Sequence, residues 1–125
     1  MSLIDEPNEV LYRKIHSSNQ FDERNNKITS AAFKTSTGCS VDKLANRDEI
    51  DIVKYYENKW KQPKEMKAIV KITVQECLDI PTYPVNKPTC DNRFHAEIHD
   101  SEYQIEISRR KARLLAKKAK IVRLY

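Results

Sequence analysis

The chain contains a single glycine, Gly38, among its 125 residues. Loops that cradle phosphates in nucleotide-binding folds need several glycines, because their backbone approaches the ligand closely and adopts positive φ angles. This scarcity excludes a Rossmann or P-loop enzyme, and we predict no cofactor.

The sequence also predicts neither a disulfide framework nor a membrane span. Three cysteines, Cys39, Cys77 and Cys90, are odd in number and too widely spaced for a disulfide framework or a structural zinc site. No apolar run approaches the roughly 20 residues that cross a bilayer, and the first residues lack the pattern of a signal peptide. We therefore expect a cytoplasmic protein with reduced thiols and no membrane association. Its 39% hydrophobic content suffices for one core, so we predict a single domain, 1–125.

Charge is distributed unevenly along the chain. Residues 108–125 hold eight of the 23 lysines and arginines and none of the 18 acidic residues, so residues 1–107 carry a net charge of −3 although the whole chain carries +5. Such segregation predicts an anionic partner, such as nucleic acid, an acidic protein or a phosphate-bearing ligand, although an exposed basic face can also be merely solvated.

The basic segment has the periodicity of an amphipathic helix. Ala112, Leu115, Ala116, Ala119 and Val122 recur at helical spacing, and Ser108 is a suitable N-cap, so we predict one helix over 108–125 that packs on a sheet. We predict that its outward side chains contact nucleic acid or another anion: Arg109, Arg110, Arg113, Lys117, Lys118 and Lys120.

Alternation and capping signals place the other elements. Strands are predicted at 10–16, 67–74, 93–99 and 103–107, and the strand at 67–74 is predicted to be central. A helix is predicted from Asn46 or Asp48 to about Lys61, and a helical turn at 75–80. Residues 28–34 are predicted to form an extended or mixed segment. Residues 35–38 and the proline-rich stretch at 81–88 are predicted to be loops. The fold class is α+β: a small mixed or antiparallel sheet with two main helices, the last one basic and packed on the sheet.

Five side chains are candidates for catalysis: Arg13, His16, Ser30, Asp42 and His95. Arg13 lies between Leu11 and Ile15 on one face of the first strand, where an unpaired charge is costly. It is predicted either to bind an anion near His16 or, more simply, to pair with a carboxylate such as Asp42.

The hydroxyl-rich stretch around Ser30 and the following segment with Cys39 offers possible nucleophiles, with His16 or His95 as the base. Hydroxyls in such segments more often serve turns and caps.

His95, Glu97 and His99 alternate along the predicted strand 93–99 and point to the same side. Two histidines in this spacing can hold a metal ion, but the polar face of a half-buried strand looks the same and no fourth ligand is indicated. We therefore predict no metal.

The segments LYRKIH, ITSAAFK, GCSVD and FHAEIH, in this order, resemble a family of small uncharacterised bacterial proteins with LYRRIHP, SSAAF, SVD and HA-aliphatic motifs. The chain departs from that pattern at Ser17, where the family has proline, and at Thr29, where it has serine. The resemblance implies no settled activity. Its matching positions are Tyr12, Arg13, His16, Ser30, Ala31, Ala32, Phe33, Ser40, Val41, Asp42, His95 and Ala96.

Two classes of function follow. The first is a non-catalytic binding module or assembly subunit that contacts nucleic acid or another anionic partner through the basic helix. The alternative is a small transferase or hydrolase acting on a nucleotide or nucleic acid, in which Arg13 holds a phosphate and His16 or His95 transfers protons. A likeness to ADP-ribosyl-transfer folds is analogy alone.

Overall fold

The computed structural model describes residues 2–16, 19–60 and 66–125. The elements in chain order are β1 (Val10–Ile15), β2 (Phe21–Asp22), β3 (Lys27–Ile28), a 3-10 helix (Ser30–Ala32), β4 (Cys39–Lys43), α1 (Glu49–Trp60), β5 (Ala68–Thr73), α2 (Val74–Asp79), β6 (Tyr83–Asn86), β7 (His95–His99), α3 (Arg109–Lys118) and β8 (Lys120–Leu124). Six strands form one antiparallel sheet in the order β6-β7-β4-β1-β5-β8, and β2 and β3 form a separate hairpin.

Helices cover both faces of the sheet. On one face, Leu11 and Ile15 of β1 join a core with residues of α2, the 3-10 helix and α3. On the other, Tyr12 of β1 packs with α1 through Ile52 and Tyr56. This division follows from the strand period of two, which sends neighbouring side chains of β1 to opposite faces. The structure confirms the predicted α+β class and the packing of the last helix on the sheet.

Five predicted elements are confirmed with small changes in their bounds, and the strands predicted at 10–16 and 93–99 are β1 and β7. The strand predicted at 67–74 is β5, and the helical turn predicted at 75–80 is α2, which starts with a capping box between Thr73 and Glu76. β5 lies between β1 and β8 rather than at the centre of the sheet. The helix predicted from Asn46 or Asp48 is α1, whose predicted end at Lys61 lies outside the described residues.

The single helix predicted over 108–125 is wrong beyond Lys118. Ser108 caps α3 as predicted, but Ala119 is extended and residues 120–124 form the edge strand β8, paired with β5. Val122 therefore packs with the α1 core, whereas Ala112 and Leu115 pack in the core on the opposite face. The helical spacing of Val122 was coincidental, since pairing with β5 satisfies the backbone groups along that strand.

Two strands lie where the sequence predicts none: β6 lies within the predicted loop 81–88, and β4 directly follows the predicted turn 35–38. β4, which includes Cys39, is an interior strand of the sheet, and its alternation of apolar and polar side chains spans only five residues. β6 contains Pro84 and lies at the edge, where a strand tolerates a residue without an N–H donor.

The strand predicted at 103–107 is not formed. The first two residues of this segment lie in a turn closed by a bridge between Ser101 and Gln104, and Tyr103 is 91% exposed. The alternating apolar residues Tyr103, Ile105 and Ile107 would form one face of a strand, but Tyr103 and Ile105 are exposed and Ile107 alone is buried. Among the helices of the described ranges, none is long and apolar enough to cross a membrane.

Candidate functional site

Arg13 lies on the face of the sheet that is covered by the 3-10 helix. Its guanidinium donates hydrogen bonds from Nε to the carbonyl oxygen of Ala32 and from Nη1 to that of Ser40, each at 2.7 Å. The side chain is only 8% exposed. The expected pairing with Asp42 is wrong, because Asp42 is the cross-strand partner of Tyr12 and therefore points to the opposite face. Arg13 joins the 3-10 helix to β4.

Asp42 is held on the α1 face of the sheet. Its carboxylate accepts hydrogen bonds from the Tyr56 hydroxyl at 2.5 Å and from the Asn92 amide at 2.7 Å. Burial, followed by the negative charge of Asp42, raises the pKa of Tyr56 well above its usual value, so this phenol stays protonated and donates. The three side chains connect β4, α1 and the loop before β7.

The two histidines among the five candidates lie on the α1 face, but their rings have separate partners. His95 is the cross-strand partner of Asp42, and its Nδ1 lies 2.9 Å from the carbonyl oxygen of Lys87. The His16 ring contacts Trp60 edge-on, with 5.9 Å between centroids. Ser30 lies in the 3-10 helix, which packs on α3.

The structure thus places the five candidates on both faces of the sheet. Arg13 and Ser30 belong to the face covered by α3, whereas Asp42, His95 and His16 belong to the face covered by α1. A catalytic site needs its groups within reach of one reacting atom, and these five do not share one cleft. Cys39 is also buried, and burial raises the pKa of its thiol, which opposes formation of a nucleophilic thiolate.

The His95-x-Glu97-x-His99 pattern forms a buried pair and one outlying histidine. Nε2 of His99 lies 2.8 Å from Oε1 of Glu97, and Nζ of Lys87 lies 3.2 Å from Oε2. Burial alone would raise the pKa of Glu97, but the hydrogen bonds from His99 and Lys87 lower it below its usual value. No group of three or more metal-ligating side chains is found in the ranges that the structure describes.

Gly38 lies directly over this pair. Its φ is +112°, and a Cβ atom at this position would approach Oε1 of Glu97 to 2.5 Å. The positive φ and the close approach to a buried carboxylate together explain why this position holds the only glycine of the chain.

A groove of about 620 Å³ lies between α3 and the β2–β3 hairpin. Three of the six predicted anion-binding residues line it: Arg113 and Lys117 from α3, and Lys120 from β8. Lys27, whose part in the groove the sequence did not indicate, adds a fourth cation, and Ser30 adds a hydroxyl. We call this concavity the α3 groove; its polar lining residues are Asn26, Lys27, Ser30, Arg113, Lys117 and Lys120. Arg109, Arg110 and Lys118 are exposed on α3 but do not line it.

Of the four cations of the α3 groove, Lys27 has an acidic neighbour, Asp22, which is its cross-strand partner in the hairpin. Within residues 2–16, 19–60 and 66–125, none of the four forms an ion pair with a carboxylate. By contrast, Lys111 on the same helix pairs with Asp100 at 3.3 Å. Among the groove's polar side chains only those of Asn26 and Ser30 can accept a hydrogen bond, so the groove is suited to an anion.

The hairpin wall of the groove is shaped by its turn. Asn26 adopts a positive φ of 51°, and the Asp22 carboxylate accepts hydrogen bonds from the backbone of Arg24 and Asn25. Ile28 packs against the main core, so it anchors the hairpin beside α3. Lys27 therefore reaches the groove from a position about ninety residues away in the chain, which no local pattern in residues 108–125 could indicate.

The chain has no significant match to any protein-family model, any curated protein or any solved structure. The resemblance to a bacterial family therefore stays a prediction.

Proposed function

We propose that the protein is a non-catalytic binding module that holds the phosphate backbone of a nucleic acid in the α3 groove. The observation that supports this proposal is the gathering of Lys27, Arg113, Lys117 and Lys120 around one concavity without a paired carboxylate. Cations placed in this way neutralise phosphates and release counterions, which favours binding with little dependence on base sequence.

The arrangement of the cations favours an extended polyanion over a single small anion. Arg113 and Lys117 are four residues apart on α3, so their Cβ atoms lie about 6 Å apart on one side of the helix. Lys120 continues the row into β8, and Lys27 stands on the opposite wall. Ala116 and Ala119 also line the groove, and their small side chains leave room for a chain of phosphates beside the cations.

The experiment is a fluorescence-anisotropy titration of labelled single-stranded and duplex oligonucleotides at low salt. The test variant is Arg113→Gln combined with Lys117→Gln, and the matched control is Arg110→Gln combined with Lys54→Gln, which removes the same charge from exposed positions outside the groove. We expect the test variant to bind at least tenfold more weakly than wild type and the control to change affinity less than threefold.

Two results would refute the proposal. One is the absence of oligonucleotide binding by wild type at low salt. The other is equal loss of affinity in the test and control variants, because this would show dependence on net charge without a defined groove. Binding of a polyglutamate peptide with higher affinity than either oligonucleotide would indicate an acidic protein partner instead.

A further inference from the structure

A second concave surface with basic side chains lies where β4 and β6 end. Its volume is about 480 Å³, and it is lined by Ser2, Lys43, Asn86, Lys87, Pro88 and Arg93. We call these six residues the β6 groove. It shares no lining residue with the α3 groove, and its strand β6 forms the sheet edge opposite to β8.

Two of the cations in the β6 groove are available to a ligand. In the part of the chain that the structure describes, neither Lys43 nor Arg93 forms an ion pair with a carboxylate. Lys43 instead donates to Oδ1 of Asn86 at 2.5 Å, which leaves two of its ammonium protons free. The third cation, Lys87, contacts the buried carboxylate of Glu97, so the groove retains a net positive charge.

Hydrogen bonds hold the walls of the β6 groove in place. The backbone N–H of Asn86 donates to Ser2, and the backbone N–H of Lys87 donates to His95 at 3.0 Å. The Nδ1 atom of His95 in turn contacts the carbonyl oxygen of Lys87. A wall ordered in advance loses less entropy when a ligand binds, so weak contacts suffice for a defined site.

The residue that carries the outer cation is also anchored. Asn92 donates to Asp42, and the backbone N–H of Phe94 donates to the Asn92 side chain at 3.1 Å. The guanidinium of Arg93 lies 4.8 Å from the centroid of the Phe94 ring, and that of Arg47 lies 3.6 Å from it. The network around Asp42 thus positions Arg93 beside Lys43 and Lys87.

We propose that the β6 groove is a second, independent binding site for a phosphate group. Ammonium and guanidinium donors converge there with the Ser2 hydroxyl, and its two uncharged side-chain acceptors are already engaged: Asn86 Oδ1 accepts from Lys43, and Ser2 Oγ accepts from the Asn86 amide. Arginine and lysine together suit phosphate oxygens, since arginine offers a planar pair of donors and lysine a compact charge. The volume accommodates a phosphate monoester of nucleotide size.

This inference does not rest on the proposed function, and an NMR titration tests the two separately. Backbone amide shifts of the uniformly labelled protein are followed at constant ionic strength with inorganic phosphate, with adenosine 5′-monophosphate and with adenosine as the uncharged control. We expect saturable shifts at Lys43, Asn86, Lys87 and Arg93 with both phosphates and none with adenosine. Tighter binding of the nucleotide than of inorganic phosphate would identify a nucleotide as the source of the phosphate; equal affinity would indicate recognition of the phosphate alone.

The matched variants are Lys43→Gln with Arg93→Gln in the β6 groove and Arg113→Gln with Lys117→Gln in the α3 groove. The first pair should weaken the titration at the β6 groove about tenfold or more, and the second pair should leave it within twofold of wild type. The inference is overturned if the β6 amides show no saturable shift with either phosphate, or if both double variants weaken it equally. An amide spectrum that remains dispersed shows that each double variant is folded.

Discussion

The hydroxyl oxygen of Tyr56 lies 2.5 Å from Oδ2 of Asp42, and both side chains are buried between α1 and the sheet. Asn92 supplies the second hydrogen bond to the same carboxylate. One aspartate therefore ties together a strand, a helix and a loop that are far apart in the chain. This network positions Arg93 and so supports the β6 groove.

Tyr56→Phe should destabilise the protein by about 2 kcal/mol, because the buried Asp42 carboxylate loses its closest donor. Urea unfolding followed by circular dichroism measures this change. Tyr103→Phe, at a position that is 91% exposed, serves as the control and should change the free energy of unfolding by less than about 0.5 kcal/mol. Equal stability of Tyr56→Phe and wild type would contradict the role of this hydrogen bond.

Arg13→Met should destabilise the protein by about 2 to 4 kcal/mol, because the carbonyl oxygens of Ala32 and Ser40 lose charged donors. The exposed Arg110→Met is the control and should have little effect on unfolding by urea. If Arg13→Met were as stable as wild type, the assignment of Arg13 to a structural role would fail, and its use in binding a ligand would need to be considered again.

Gly38→Ala should cost about 2 kcal/mol or more, since alanine is strained at a φ of +112° and its Cβ atom would collide with Glu97. Ala45→Gly offers the reverse test, because Ala45 has a positive φ of 54°. Relief of that strain outweighs the added freedom of the unfolded chain, so we expect a gain of about 0.5 kcal/mol. Thermal unfolding measures both changes in stability. A Gly38→Ala protein with the same melting temperature as wild type would contradict the close contact with Glu97.

Lys14 should titrate near pH 8. Burial, followed by the positive charge of Arg13, lowers the pKa of Lys14 from 10.5 to about 8, and its Nζ lies 4.0 Å from the centroid of the Trp60 ring. The folded pKa lies below the unfolded one, so the unfolded chain binds more protons between about pH 8 and 10.5. The contribution of Lys14 to stability therefore rises with pH through this window and is lowest below it.

Two measurements check the titration of Lys14. Trp60, the only tryptophan, should show a fluorescence change with a midpoint near pH 8 that is absent in Lys14→Met and retained in Lys59→Met. The stability advantage of Lys14→Met over wild type should also narrow as the pH rises from 7 to 10. An advantage that is constant across this range would show that the pKa of Lys14 is not lowered.

Local patterns in the sequence predict those elements whose side chains alternate cleanly or repeat at helical spacing. The alternation of β5, the capping of α3 by Ser108 and the acidic first turn of α1 are all visible in this way. β4 was missed because its alternation spans only five residues, and because Asp42 is buried through hydrogen bonds from Tyr56 and Asn92, which lie far away in the chain. β8 was misassigned because its place depends on the open edge of β5, which is a tertiary property.

The candidate sites show the same limit. The basic residues of α3 could be predicted from charge segregation, but the groove exists only because a distant hairpin brings Lys27 opposite Arg113. The β6 groove brings together Ser2 and Arg93, from both ends of the first hundred positions, through backbone hydrogen bonds to β6 and the side-chain network around Asp42. Spacing along the chain does not show which distant residues line the same groove, because this depends on the order of the strands in the sheet.

The salt dependence of oligonucleotide binding tests the central proposal most directly. If four cations of the α3 groove contact phosphates, the slope of log K against log salt concentration should be about −3 for wild type, and it should become shallower by about 2 in the Arg113→Gln and Lys117→Gln double variant. The control double variant, Arg110→Gln with Lys54→Gln, should keep the wild-type slope. A slope near zero, or one that is the same in all three proteins, would contradict binding of a phosphate backbone in the α3 groove.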